Sequence, residues 1–195
     1  MPESHFNIAL VGNPNCGKST IFNSLTGLNQ KTGNFPGVTV DKKTGKVDLD
    51  NNNASATLID LPGTYSLYPR RADEWVAYKV LMNADDIKAD VILLVADASN
   101  LKRNLLFCSQ ILDLKIPVVV ALSMNDIAAK KGIKINIAGL EKELGVPVVE
   151  VNPRKDKGIN QLKKILYLTA KNKVTAAREF IDTKKLASQS VVAIQ

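Results

Sequence analysis

Apolar runs of strand length recur along the chain, at Phe6 to Val11, Thr57 to Leu61, Val91 to Ala96, Val118 to Leu122 and Val146 to Val151. Most are nearly continuous instead of alternating, which is how strands covered on both faces read. Between them lie stretches with helical spacing: Ser19 to Thr26, Ala72 to Met82, Asn104 to Leu114, Ile137 to Leu144 and Ile159 to Lys171. This alternation predicts an α/β fold, a mostly parallel sheet with helices on both faces. Val38 to Val47, rich in Thr, Val and Lys, meets the Thr57 strand across the turn-forming run from Asp48 to Asn53, which predicts an antiparallel hairpin at one edge. The expectation is a six-stranded sheet with one antiparallel edge strand. After Asn172 the register changes. Thr175 to Gln195 is weakly amphipathic with no strand to follow, so it reads as the opening of a second, helical element that is cut short.

The strongest chemical signal falls at the first strand-to-helix junction, where Gly12-Asn13-Pro14-Asn15-Cys16-Gly17-Lys18-Ser19 spells a complete G-x-x-x-x-G-K-S followed by Thr20. Backbone N–H groups of such a loop curl around phosphates, and the helix N-terminus adds its positive dipole end. Lys18 would neutralise β- and γ-phosphate charge, and Ser19 would supply an oxygen to magnesium. Asp60-Leu61-Pro62-Gly63 closes the hairpin's second strand. In the G-protein arrangement this Asp60 holds magnesium and the Gly63 N–H meets the γ-phosphate. Thr39, in a Gly-rich stretch about twenty residues after the P-loop, is positioned to bind magnesium and γ-phosphate when GTP is present. Two loops held only by the third phosphate make a switch.

Base recognition is expected after the Val118 strand, at Leu122-Ser123-Met124-Asn125-Asp126. Guanine presents N1–H and an exocyclic amine, and one carboxylate accepts both, the role that fits Asp126. The competing reading makes Asp126 the N-cap of a helix from Ile127 onward.

Composition narrows the surroundings. The chain has 195 residues, 45% of them hydrophobic, the size of one globular domain with a short appendage. A net charge of +7 is spread over small clusters such as Lys42-Lys43 and Lys163-Lys164, which reads as solvated surface and not as a nucleic-acid patch. Cys16 and Cys108 lie in segments of different kinds, so no disulfide framework is expected and a reducing cytosol is the default. No stretch approaches the eighteen or more apolar residues that span a bilayer. His5 is the lone histidine, so the residues do not support iron binding by the chain itself.

Four stretches carry a resemblance: Gly12 to Asn15, Gly33-Asn34-Phe35-Pro36-Gly37-Val38-Thr39-Val40, Asp60-Leu61-Pro62-Gly63-Thr64-Tyr65-Ser66-Leu67 and Val95-Ala96-Asp97-Ala98. Together they closely resemble the G domain of the FeoB family of bacterial ferrous iron transporters, over roughly residues 5 to 170. The resemblance implies a Ras-like P-loop fold over residues 1–172, with 173–195 as the start of a helical, GDI-like domain. It implies a slow GTPase at the cytoplasmic face of the inner membrane, a regulator whose partners are the helical and transmembrane domains of the same transporter, with an oligomer open through the full-length protein.

By the same resemblance, the implied cofactors are GTP or GDP, Mg2+ held by Ser19, Thr39 and Asp60, and K+ held by Asn15. Catalysis would rest on Asn15, Lys18, Thr39 and Gly63, with Thr64 standing where Ras-like proteins carry the glutamine that orients water. Asn152-Pro153-Arg154 falls where the family has a Ser-Ala-like loop donating a backbone N–H to guanine O6. Ser123 departs from the family's asparagine, and a shorter side chain with one donor is expected to weaken nucleotide affinity by about 1 kcal/mol. Tyr65, Trp75 and Tyr78 read as half-buried packing of the helix near Gly63, with a partner surface as the second reading. Two other functions stay open at this point: an Era-like, RNA-associated GTPase, and a module that holds nucleotide without turning it over.

Overall fold

A computed structural model describes residues 4–28, 30–34, 41–49, 54–69, 71–82, 88–173, 175–176 and 180. The strands are β1 (Ser4–Gly12), β2 (Gln30–Asn34), β3 (Asp41–Asp48), β4 (Ala54–Asp60), β5 (Val91–Asp97), β6 (Val118–Ser123) and β7 (Val148–Glu150). The helices are α1 (Lys18–Thr26), α2 (Ala72–Leu81), α3 (Leu101–Leu112), α4 (Asn125–Lys130), α5 (Ile137–Leu144) and α6 (Ile159–Asn172). All seven strands form one sheet in the order β2-β3-β4-β1-β5-β6-β7. β1, β4, β5, β6 and β7 run parallel to their neighbours in that set, while β3 pairs antiparallel with β4 and β2 antiparallel with β3.

The expected six strands are thus corrected to seven, with β3 alone running against the others and β2 added beyond it as the outermost strand. Gln30–Asn34 escapes a search for apolar runs because it is a polar outer edge, with Lys31 and Thr32 exposed. Backbone pairing with Asp41 to Gly45 alone makes it a strand, and charged or polar residues are how exposed edges avoid further pairing. The hairpin expected from Val38 to Val47 is present as β3 and β4, but 35–40 lie outside the described residues. So does most of the expected helical segment from 175 to 195. Thr175, Ala176 and Phe180 are described and lie in no regular element.

The side-chain period of two divides the apolar runs between two cores. Ala9, Val11, Ile59, Ile92, Leu94 and Val120 face one side, against Val80 of α2 and Phe107 and Ile111 of α3. Ile8, Leu10, Leu58, Leu93 and Val119 face the other, against Ile21 and Phe22 of α1 and Leu162 and Leu166 of α6. Near-continuous hydrophobicity is therefore required, since a polar residue on either face of β1 or β5 would be stranded under a helix. Each fully buried Leu, Ile or Phe contributes about 1.5–3 kcal/mol. This double cover fixes the C-terminal ends of β1, β4, β5 and β6 in one row, and the loops leaving those ends make the site. Ligands of open α/β sheets bind at that rim.

Candidate nucleotide site

The cradle is built by the turn from β1 into α1. Gly12 adopts φ 154°, and a Cβ there would lie 2.5 Å from the Val95 carbonyl and 2.8 Å from Cys16 Sγ, so only glycine fits against β5. Asn15 is also left-handed, at φ 63°, and its side chain is exposed. α1 is capped by Gly17, with no side chain bonded to its first turn. The first intrahelical bond there runs from Ile21 N–H to Gly17 O. The N–H groups of Lys18, Ser19 and Thr20 thus lack helical partners and face the loop, an arrangement made for an anion.

Lys18 Nζ donates to the Gly12 and Asn13 carbonyls at 3.2 and 3.3 Å. Asn13 is 3% exposed, and neither polar atom of its side chain has a protein partner. Cys16 is buried, and burial pushes its thiol up, opposed by the Lys18 charge.

The loop after β4 closes over this cradle. A Cβ on Gly63 would lie 2.9 Å from Lys18 Nζ and 3.1 Å from the Pro14 backbone, so absence of a side chain permits the approach. Thr64 N–H donates to Gly12 O at 3.3 Å. The Thr64 hydroxyl donates to Ser66 O at 2.8 Å, within its own loop, and Thr64 is buried. Asp60 Oδ1 is buried with no hydrogen-bond partner among the described residues. Burial raises the Asp60 carboxyl above its ordinary value, an effect partly offset by the charges of Lys18 and Lys43. An orphaned carboxylate oxygen close to Lys18 fits a site that takes a cation with a phosphate. Thr39, the third expected magnesium ligand, lies outside the described residues.

α3 pins the same loop, through Arg103, whose guanidinium sits 4.1 Å from the Tyr65 ring centroid, and Gln110, whose Oε1 accepts from Leu67 N–H at 2.8 Å. Both α3 contacts were beyond sequence reasoning, since neither residue belongs to a motif. Trp75 and Tyr78 pack edge to face at 5.5 Å. Trp75 remains 48% exposed and Tyr65 40% exposed, so packing accounts for only part of their surface.

Beside the cradle, a cavity of about 170 Å³ is lined by Gly17, Ser123, Met124, Asp126, Asn152 and Arg154, among others. Met124, left-handed at φ 56°, caps α4, so Asp126 lies inside that helix and its reading as an N-cap is corrected. Its exposed carboxylate is at the pocket wall instead. Ser123 Oγ lies 2.6 Å from Cys16 O and 3.1 Å from Ala96 O, donating its single proton to backbone. The serine thereby ties the base loop to the P-loop, the structural half of the work expected of asparagine. Asn125, which sequence reasoning passed over, donates to Leu122 O at 2.7 Å and Val151 O at 3.4 Å, joining the ends of β6 and β7. Asn152 N–H donates to Lys157 O, and Pro153 opens a single 3-10 turn to Lys155.

A P-loop at the end of β1, a D-x-x-G loop folded onto it and a pocket lined by Asp126 after β6, all on one doubly covered, mostly parallel sheet, define a Ras-like G domain. Comparison with known proteins makes this specific. The FeoB_N family, ferrous iron transport protein B, matches residues 6–166, and the chain belongs to it. The Fe(2+) transporter FeoB of Leptospira biflexa is 49% identical over 160 residues, covering 82% of this chain and 23% of that protein. This chain thus spans about a fifth of the length of such relatives.

Among solved structures, an S. thermophilus NFeoB mutant bound to mGDP aligns at TM-score 0.84 and 41% identity, over 96% of this chain and 70% of the other. The FeoB G-domain from Methanococcus jannaschii aligns at 0.75 and 39%, over 86% and 99%. Membership of this family sets aside the Era-like reading. No helix among the described residues is long and apolar enough to cross a membrane.

Proposed function

We propose that this chain binds GTP and slowly hydrolyses it, GTP and water giving GDP and phosphate, as the regulatory G domain of a ferrous iron transporter at the cytoplasmic face of the membrane. The observation that carries the reading is the pairing of an α1 N-terminus without a side-chain cap, and of Lys18, with an orphaned Asp60 oxygen across one loop. Phosphate would draw Lys18 off the Gly12 and Asn13 carbonyls, replacing two hydrogen bonds to neutral acceptors by an ion pair with a phosphate oxygen. N–H groups of the loop from Asn15 to Thr20 would bind the α- and β-phosphates, and the Gly63 N–H would donate to the γ-phosphate. Ser19, Asp60 and Thr39 would hold magnesium, which supplies charge neutralisation at the β- and γ-oxygens.

Turnover is slow on this account because the Thr64 hydroxyl is spent on Ser66 O, leaving water to be oriented by backbone groups. Asn15 would hold potassium beside the phosphates, contributing positive charge where an arginine finger acts elsewhere. Its exposed, left-handed side chain, with no hydrogen bond among the described residues, is compatible with that role. Release of the Gly63 and Thr39 loops on hydrolysis would pass the nucleotide state to helical and membrane domains of the same transporter. Residues 1–172 would form the G domain and 173–195 the start of the helical one.

Single-turnover phosphate release tests the reading, measured in potassium and again in sodium, for the parent and Asn15→Ala. Faster release in potassium, lost in Asn15→Ala, is expected. Absence of phosphate in either salt reduces the chain to a nucleotide-holding module, and equal rates remove the potassium role.

A further inference from the structure

The cavity next to the cradle has an acceptor for one edge of guanine and a shortage of donors for the other. Guanine's O6 and N7 are both acceptors, while its N1–H and amine are donors. Asp126 answers the donors. For the O6/N7 edge the expected donors are spent or missing. The one proton of Ser123 goes to backbone at 2.6 Å. Both amide hydrogens of Asn125 are directed at Leu122 O and Val151 O. Asn152 N–H is bonded to Lys157 O, and Pro153 has no N–H.

Arg154 remains. It lines the same cavity, is exposed, and forms no ion pair among the described residues, Asp126 included. Its backbone N–H, second in the 3-10 turn that Pro153 opens, also has no intrahelical partner by position. A guanidinium is the planar fork that meets O6 and N7 of guanine as a bidentate pair.

We propose that Arg154 is a specificity-determining residue that reads the O6/N7 edge of the base, in place of the asparagine amide and the loop N–H that Ser123 and Pro153 do not supply. Asp126 and Arg154 then present negative and positive charge to the donor and acceptor edges of guanine, matching its dipole. Adenine, with an amine at the O6 position, would meet the guanidinium donor to donor. The inference rests on the reading that a guanine nucleotide occupies the cradle.

The test is equilibrium binding of GDP and of 7-deaza-GDP, which lacks only the N7 acceptor, with magnesium present, to the parent, Arg154→Met and, as a charge-loss control on the exposed face of α6 away from this cavity, Lys164→Met. The parent is expected to bind 7-deaza-GDP about tenfold more weakly than GDP, the scale of one hydrogen bond to a charged group. Arg154→Met should weaken GDP about as much and bind the two nucleotides equally, whereas Lys164→Met should keep the parent's ratio. A structural role for Arg154 would lower both affinities and leave the ratio intact. Equal binding by the parent, a ratio that survives in Arg154→Met, or a ratio lost in Lys164→Met overturns the proposal while leaving GDP binding itself standing. Failure of the parent to bind GDP at all overturns the nucleotide reading and this inference with it.

Discussion

Ser123→Ala isolates the bond that joins the two halves of the site. The hydroxyl lies 2.6 Å from Cys16 O and 3.1 Å from Ala96 O, on a residue 3% exposed, so water has no room to replace it. Removing it leaves the Cys16 carbonyl short of a donor in a buried setting, which costs about 1–3 kcal/mol. Only one proton is lost and the 3.1 Å contact is secondary, so the low half of that range applies, about 1.5 kcal/mol. For a domain of this size that corresponds to a fall of about 3–6 °C in Tm. Urea unfolding of the nucleotide-free protein, followed by circular dichroism, should show a lower midpoint at unchanged slope. GDP affinity should fall several-fold as well, because Cys16 and Gly17 lie in the cradle. An unchanged midpoint together with unchanged GDP affinity would refute the idea that this hydroxyl braces the P-loop.

Two further perturbations probe the loop over the cradle. Gly63→Ala would put a methyl group 2.9 Å from Lys18 Nζ and 3.1 Å from Pro14, so the loop must back away. Single-turnover hydrolysis should then fall by on the order of a hundredfold, the usual loss for a misplaced transition-state donor, and an unaltered rate would contradict the role given to its N–H. Asp60 has a raised carboxyl pKa in the nucleotide-free fold, so the folded state holds its proton more tightly than the unfolded chain does. The charge therefore opposes folding above the raised value, and the penalty fades as pH falls through it toward the ordinary 3.8. Asp60→Asn should raise the midpoint of the nucleotide-free protein at pH 7, with a gain that shrinks near pH 4, and should weaken magnesium-dependent GTP binding; a lower midpoint at pH 7 would count against a buried, unpaired carboxylate.

What the sequence made legible follows from where single residues decide the outcome. β1, β5 and β6 are covered on both faces, so their apolar runs were unambiguous, and the P-loop announces itself because each of its glycines answers a steric demand such as the Val95 carbonyl beside Gly12. β2 was invisible because its existence depends on backbone pairing with a distant segment, and its side chains carry no pattern. α4 entered only as a competing reading, and with its start misplaced at Ile127, for a related reason. It has six residues and is entered through a left-handed Met124, with no capping side chain to mark its start. In the site, motif residues were found where spacing fixes them, but Asn125, Arg103 and Gln110 act through tertiary contacts that no spacing rule reports. The serine at 123 looked like a loss; its hydrogen bond to Cys16 makes it a brace whose value depends on the P-loop lying alongside.

Guanine held against Asp126 is the central claim, and a change of base reports on it without depending on loss of the fold. Xanthine carries a carbonyl where guanine has its amine, so Asp126→Asn offers a donor to that oxygen while still accepting from N1–H. Titrated with GDP and XDP in magnesium, the parent should favour GDP by on the order of tenfold or more and Asp126→Asn should favour XDP, each contact counting roughly as one charge-assisted or neutral hydrogen bond. A variant that keeps the parent's preference for GDP would contradict the account.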